Sequence, residues 1–315
     1  MKKKILVIIS FITFVLSCYS ATTENGLEWK FLDRTQKSWL AKIENSVNID
    51  NDYIMITGYN GDASIIALPK EIEGYPVIAS TIFMLPKKCN KVIVPETIVY
   101  LSDPFYWGEP HPEGEIELLN NRKVTLALEG TCFKYFKKLP MDVDIHTWGD
   151  IDFGKLTTVI WSKNWKTNPH PYDNMNSSFK DGIPSAWIKY ERKKITGILS
   201  LVTSELTNTS GFSRPTIVGE NIKEVIFEEG CEEITGGLLG SCRDLERVVI
   251  PKSMKFIFRG KLTWNTLCAD DLKGEIDIEI AEGCKVEFED KSYLFPVNKI
   301  SVKTRKRFQE FGFKF

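Results

Sequence analysis

The chain holds three histidines, and none is placed for catalysis. His111 and His170 are each flanked by Pro on both sides, in loop-like contexts, and His146 sits in an Asp-Ile-His-Thr stretch that reads as a strand. None lies near a Ser or Cys in a nucleophile motif such as GxSxG. The paired carboxylates Asp142/Asp144 and Asp150/Asp152 alternate, which is the spacing of solvent-facing strand positions. A glycosidase needs two carboxylates across a cleft, and pairs along one strand do not supply that. Asp270-Asp271 offers oxygens for calcium, but without an EF-hand or nonapeptide ligand pattern. No CxxC and no Cys/His pair at zinc spacing occurs. The expectation is a non-enzyme with no catalytic residue, metal ligand or cofactor.

Aromatic residues give a stronger signal. The segment 161–217 is rich in Asn, Ser, Thr and Pro and carries Trp161, Trp165, Tyr172, Phe179, Trp187 and Tyr190. A second aromatic loop follows Tyr106-Trp107-Gly108, with His111 nearby. Rings add contact area at low entropic cost, and sugars stack on Trp and Tyr. Trp161, Trp165, Tyr172, Trp187, Tyr106 and Trp107 are therefore the candidate ligand contacts. The competing reading is that these rings fill core gaps. Arg305, Lys306 and Arg307 suit an anionic partner, but are better read as the solvated face of a capping helix.

Charge narrows the partners. Lys+Arg 41 against Asp+Glu 42 gives −1, and removing residues 1–17, which carry three Lys and no acid, makes the chain −4. A weakly acidic chain has no electrostatic footprint for nucleic acid. Residues 1–4 supply three positive charges, and 5–16 run apolar apart from Ser10 and Thr13. That is a secretory signal, too short to span a bilayer. It ends Val15-Leu16-Ser17-Cys18, which resembles the relaxed lipobox of bacterial lipoproteins, with Cys18 the lipid-bearing residue. Cleavage near Ser20-Ala21 is the alternative. Lipid would then be the only membrane anchor. Six Cys remain after Cys18, an even number that permits disulfides, but their spacing reads as core-filling ladder positions.

The elements that would position any site come from a repeat. Val225-Ile226-Phe227-Glu228-Glu229-Gly230-Cys231 aligns with Val248-Val249-Ile250-Pro251-Lys252-Ser253-Met254 at an offset of 23 residues. Both read as a short strand, a turn and an apolar return. A unit this short cannot bury its apolar face alone and must stack on a neighbour. Weaker copies occur at 276–284 and 126–132, and 156–161 is one further candidate. Ile65-Ile66-Ala67-Leu68-Pro69 and Val92-Ile93-Val94-Pro95 are strand-then-Pro phrases 26 residues apart, Pro ending each strand at a corner.

Gly240-Ser241-Cys242-Arg243-Asp244-Leu245-Glu246-Arg247-Val248-Val249-Ile250-Pro251 resembles the unit of the BspA-like, treponemal-type leucine-rich-repeat proteins of host-associated bacteria. That unit has Gly-Cys, a Leu three residues later, and a strand ending in Ile-Pro; here Ser241 is inserted. Ile56-Thr57-Gly58-Tyr59-Asn60-Gly61 and Ile72-Glu73-Gly74-Tyr75-Pro76-Val77 look like the family's opening segment. Ile300-Ser301-Val302-Lys303 through Phe313 is similar to a common terminus. The likeness covers about half the chain and marks a degenerate member. It implies a mainly β, curved leucine-rich-repeat solenoid of short rungs with an irregular convex side and small helical caps.

The expected organisation is a signal peptide at 1–17, a tether and cap at 18–50, repeat-like residues 51–160, an aromatic insertion at 161–217, repeats at 218–299 and a strand-helix cap at 300–315. Helices are expected at 35–47, burying Trp39, Leu40, Ile43 and Val47, and at 304–311, burying Phe308 and Phe311. The implied function is a lipid-anchored, outer-membrane or cell-surface protein binding a host or envelope protein or glycan. The alternatives are a periplasmic envelope lipoprotein without external ligand, and a small-ligand binder or enzyme using 161–217.

Overall fold

The computed structural model describes residues 21–81, 85, 88–103, 114–119, 122–167, 216–219, 221–232, 238–258, 271–288, 297–313 and 315, with the backbone of 179–180 and 183–184. These residues are mainly β with two short α-helices. No helix among them is long and apolar enough to cross a membrane. They form two compact units, Met1–Ala127 with Tyr135–Lys138, and Leu128–Lys134 with Leu139–Phe315.

The first unit contains β1 (Ala21–Thr22), β2 (Leu27–Phe31), α1 (Arg34–Ile43), β3 (Ile54–Tyr59), β4 (Ile65–Ala67), β5 (Glu71–Ile72), β6 (Tyr75–Ser80), β7 (Lys91–Val94), β8 (Tyr100–Leu101) and β9 (Glu115–Leu118). Strand β10 (Leu126–Glu129) stands at the change from one unit to the other. Antiparallel pairing joins β1 to β2 and β2 to β3; from β3 onward the order β3-β6-β8 is parallel. A second parallel sheet runs β4-β7-β9. Ile66 pairs with Val92, so the strand-then-Pro phrases stack at their 26-residue offset.

Helix α1 starts where its chemistry says it should. Asp33 Oδ1 accepts from the Gln36 N–H at 2.8 Å and Gln36 Oε1 accepts from the Asp33 N–H at 3.0 Å, a reciprocal cap. Trp39, Leu40 and Ile43 are buried, Trp39 edge-on to Tyr100 at 5.2 Å. The helix stops at Ile43 rather than 47. Glu44 turns extended and its carboxylate accepts N–H groups from Ser46 at 2.9 Å and Thr125 at 2.6 Å. Those bonds hold its pKa below the ordinary value against the opposing push of burial. Val47 is buried all the same, reached after the helix has ended.

The second unit contains β11 (Ile145–Trp148), β12 (Asp150–Asp152), β13 (Thr158–Trp161), β14 (Trp165–Thr167), β15 (Phe179–Lys180), β16 (Ile183–Pro184), β17 (Thr216–Val218), β18 (Glu224–Phe227), β19 (Arg247–Ile250), β20 (Lys255–Phe258), β21 (Asp277–Ile280), β22 (Lys285–Phe288) and α2 (Val302–Glu310). Its parallel sheets are β11-β14, β12-β17, β13-β18-β19-β21 and β20-β22, beside an antiparallel β15-β16 hairpin. Val225 pairs with Val248, the offset of 23 seen in the sequence. Asp150 pairs with Thr216 and Thr158 with Glu224, both 66 residues apart. The same step is thus widened by extra chain, and the described parallel strands run to Thr167 and resume at Thr216, with the β15-β16 hairpin in the stretch between.

Among the described cysteines, Cys89, Cys132, Cys231, Cys242 and Cys284 are buried thiols outside any disulfide. Cys231 Sγ donates to the Trp161 carbonyl at 3.6 Å, Cys242 to Ile217 at 3.5 Å and Cys284 to Met254 at 3.0 Å. Each thiol reaches a carbonyl on an adjacent level of the stack. Burial pushes the Cys231 and Cys242 thiols up to about 12, so they pack as small apolar groups and do not ionise. The disulfides that the even cysteine count allowed are absent from these five.

Candidate binding face

Sheet β13-β18-β19-β21 separates its residues by the two-residue period of a strand. Val159, Trp161, Val225, Phe227, Val248, Ile250, Ile278 and Ile280 point inward and are all buried. Full burial of such a side chain contributes about 1.5–3 kcal/mol. The outward residues fall into two rows fixed by register. One is Thr158, Glu224, Arg247 and Asp277; the other is Ile160, Ile226, Val249 and Glu279. Adjacent strands are about 4.8 Å apart, so each row is a short, straight stripe.

The first row is ionic. Arg247, on a central strand, pairs with Glu224 on one neighbour and with Glu279 on the other, the latter at 2.6 Å. Lys303, from α2, joins Glu279 at 2.5 Å and Asp277 at 3.4 Å. Hydrogen bonds from Arg247 and then Lys303 lower the Glu279 carboxyl from 4.5 to about 2. The same partners raise the guanidinium and the ammonium. Every charge in this row has a partner within the protein.

The second row is aliphatic over three strands. Ile160 is 45% exposed, and Ile226 and Val249 are half-buried. A half-solvated sheet ordinarily shows polar residues there. Ile, Ile and Val at aligned outward positions instead make a continuous apolar stripe bordered by self-neutralised ions.

Helix α2 closes the sheet edge. Ser301 caps it, accepting from the Thr304 N–H at 3.0 Å. Thr304, fully buried, accepts the Ile278 N–H of edge strand β21 at 2.7 Å and donates to Asp277 at 2.9 Å. A hydroxyl thus takes the place of the next strand, and an edge open to strand addition is blunted. The C-terminal helix begins two residues earlier than the pattern 304–311 suggested and buries Phe308, while Phe311 forms its C-cap under the Arg307 guanidinium at 4.5 Å.

The aromatic candidates divide. Trp161 and Trp165 are 4% and 3% exposed, so both rings are packed in the core, the competing reading of the aromatics. Trp161 is an inward position of β13. Its Nε1 donates to the Trp165 carbonyl at 3.3 Å, and Trp165 Nε1 donates to Pro140 at 3.2 Å. Phe133 and Phe153 complete the cluster, at 4.9 and 6.2 Å from Trp165. The remaining candidates, Tyr172, Trp187, Tyr106 and Trp107, lie outside the described residues, as do His111, His170, Asp270 and Cys18. His146 does sit on β11 and Asp150 and Asp152 flank buried Ile151 on β12, as alternation requires. Among the described residues no group of three His, Cys, Asp or Glu could hold a metal ion.

Ile160, Ile226 and Val249 were missed by sequence reasoning. The signal was present in Val-Ile-Phe and Val-Val-Ile, aligned strands without a polar outward residue at the middle position. For Ile160 it was hidden, because the 66-residue step breaks the period.

No protein-family model matches the chain, and no curated protein matches it. Two solved structures are similar to it. The T. pallidum leucine rich repeat protein (TpLRR) is 13% identical, with a TM-score of 0.37 over 83% of this chain and 89% of that one. A leucine rich cell surface protein from Faecalibacterium prausnitzii A2-165 is 10% identical, with a TM-score of 0.27 over 88% of this chain and 96% of that one. Overlaps this loose leave function to be argued from the face itself.

Proposed function

We propose that the protein is a non-catalytic, exported binding protein of leucine-rich-repeat type, anchored by lipid at Cys18, that docks a protein or glycan partner on the outward face of β13-β18-β19-β21. The single observation carrying this is the aligned Ile160-Ile226-Val249 stripe on a sheet whose other face is already core. A partner covering the stripe removes apolar surface from water, while the paired ions beside it need little further desolvation. Parallel registers at steps of 23 and 30 residues in this sheet support reading the chain as a solenoid. Adhesion to a host surface extends this reading by resemblance.

Export and anchoring are tested by protease treatment of intact and lysed cells, with and without globomycin. Precursor accumulation under globomycin, with digestion on intact cells, is the expected result. Protection on intact cells would place the protein in the periplasm, and indifference to globomycin would remove the anchor. Docking is tested by probing immobilised extracellular-matrix proteins and glycans with the purified chain. Saturable binding to a member of the panel is expected, and none across the panel would count against the reading.

A further inference from the structure

The first unit carries an exposed aromatic pair that the binding face does not use. Phe31, the last residue of β2, is 40% exposed, and Tyr75, the first of β6, is 39% exposed. Their rings meet edge to face at 4.9 Å, and Phe31 is braced from behind by buried Trp29 at 5.5 Å. Tyr75 is held by the two-residue turn Glu73-Gly74, with φ of 53° and 81°. Positive φ at both central residues is the hairpin geometry that matches strand twist, so the ring is presented on a rigid support. Pro76, next in the chain, is exposed as well.

The strand pairing says what lies beside this pair. In the antiparallel β1-β2 ladder Ala21 is opposite Trp29 and Thr22 opposite Glu28. Ala21, the first residue of β1, is thus placed beside Trp29, two positions before Phe31 on β2. Cys18 is three residues before Ala21, a reach of at most roughly 10 Å at about 3.3–3.6 Å per residue. A lipid on Cys18 would therefore enter its bilayer within that reach of Ala21, whichever way the intervening residues run.

We infer that Phe31 and Tyr75 form a membrane-contact patch that seats the first unit on the lipid interface beside the Cys18 anchor. This rests on the lipid-anchored reading above. Amphipathic rings favour the headgroup level of a bilayer, and Tyr75 brings a hydroxyl that stays hydrated there. Lys30, Glu71 and Glu73, close to the pair in the chain, are all exposed, a mixture of signs that suits a zwitterionic surface. The acyl chains supply affinity, while the patch fixes which way the protein faces.

The test uses the full, lipid-bearing chain in phosphatidylcholine and phosphatidylethanolamine vesicles carrying brominated acyl chains. Phe31→Trp is compared with Ile160→Trp on the second unit, each as a difference from the parent spectrum. The patch predicts blue-shifted emission and bromine quenching at position 31, unchanged by salt, and neither effect at 160. Tyr75→Trp repeats the measurement should Phe31→Trp fold poorly. Lipid on Cys18 by mass spectrometry, with positions 31 and 75 both unquenched, overturns the patch and leaves the anchor standing. A chain without lipid on Cys18 overturns both. Quenching that vanishes in salt, or a shift produced by soluble protein in place of vesicles, also overturns it, the last in favour of a protein contact.

Discussion

The two units build outward sheet faces from the same strand grammar and reach different surfaces. On β4-β7-β9 the outward rows are Ile65, Lys91 and Glu115, and Ala67, Ile93 and Glu117. On β13-β18-β19-β21 they are Thr158, Glu224, Arg247 and Asp277, and Ile160, Ile226, Val249 and Glu279. Each face has a central-strand cation and a row ending in a glutamate. In the first unit the cation is Lys91, which pairs with Glu115 at 3.0 Å and with Glu117, both on the same neighbouring strand. In the second it is Arg247, whose planar fork reaches acids on both neighbours. The aliphatic row is Ala67 and Ile93 over two strands in one face, but three residues over three strands in the other. A fork in place of a point charge, and three aliphatics aligned in one row where the first face splits Ile65 from Ala67 and Ile93, turn an ordinary solvated face into a cross-braced one with an apolar stripe.

The largest expected effect tests the division between inward and outward residues. Trp165→Ala empties an aromatic core site and should cost about 3–5 kcal/mol, while Ile160→Ser should change stability by less than about 0.5 kcal/mol. Chemical denaturation of both variants measures this. Similar losses for the two would erase the distinction on which the binding face depends.

Next in size is the sealed edge. Thr304→Val keeps the shape but leaves the Ile278 N–H without its acceptor, while Asp277 Oδ1 keeps the Ser301 hydroxyl, a loss of about 1–3 kcal/mol. The Ile278 amide should also exchange faster with deuterium. An unchanged exchange rate would mean that α2 does not close the edge.

The ion rows give a smaller effect. Arg247→Met should cost about 1 kcal/mol or less, since these groups remain in contact with water, and Lys91→Met should cost less still. A larger loss at Lys91 would reverse the ranking of the two faces. The smallest effect is a pH dependence. Glu279 is lowered from 4.5 to about 2, so the stability it contributes is full above about 4.5 and is lost as pH falls toward 2. That acid-side decline should flatten in Arg247→Met, as read from denaturation midpoints across this range.

Much of the sheet pattern was legible because a rung repeats its chemistry. The pairings Val225 with Val248 and Ile66 with Val92 sit at the offsets found by inspection, and Pro69, Pro95 and Pro251 directly follow or closely trail their strands. The same logic failed at Trp161. A Trp beside polar, Pro-rich chain looks like an exposed binder, but its fate depends on strand parity, and the parity of β13 becomes visible only once Thr158 is paired with Glu224 across the 66-residue step. The extent of α1 was overread for a related reason. Val47 keeps the apolar spacing, yet the carboxylate of Glu44 is committed to Thr125, 81 residues away, a bond no local pattern announces. The face itself was illegible as a site because it contains no unusual residue, only aliphatic side chains at positions where register brings them into line.

The most direct measurement compares Ile226→Lys with Ile93→Lys, equivalent half-buried outward positions on the two faces, in the solid-phase binding assay with melting temperature recorded alongside. The account predicts at least a tenfold loss of binding for Ile226→Lys, roughly 1.4 kcal/mol, and no loss for Ile93→Lys, with both variants melting close to the parent. Equal binding by the two variants, or a greater loss from Ile93→Lys, would contradict it.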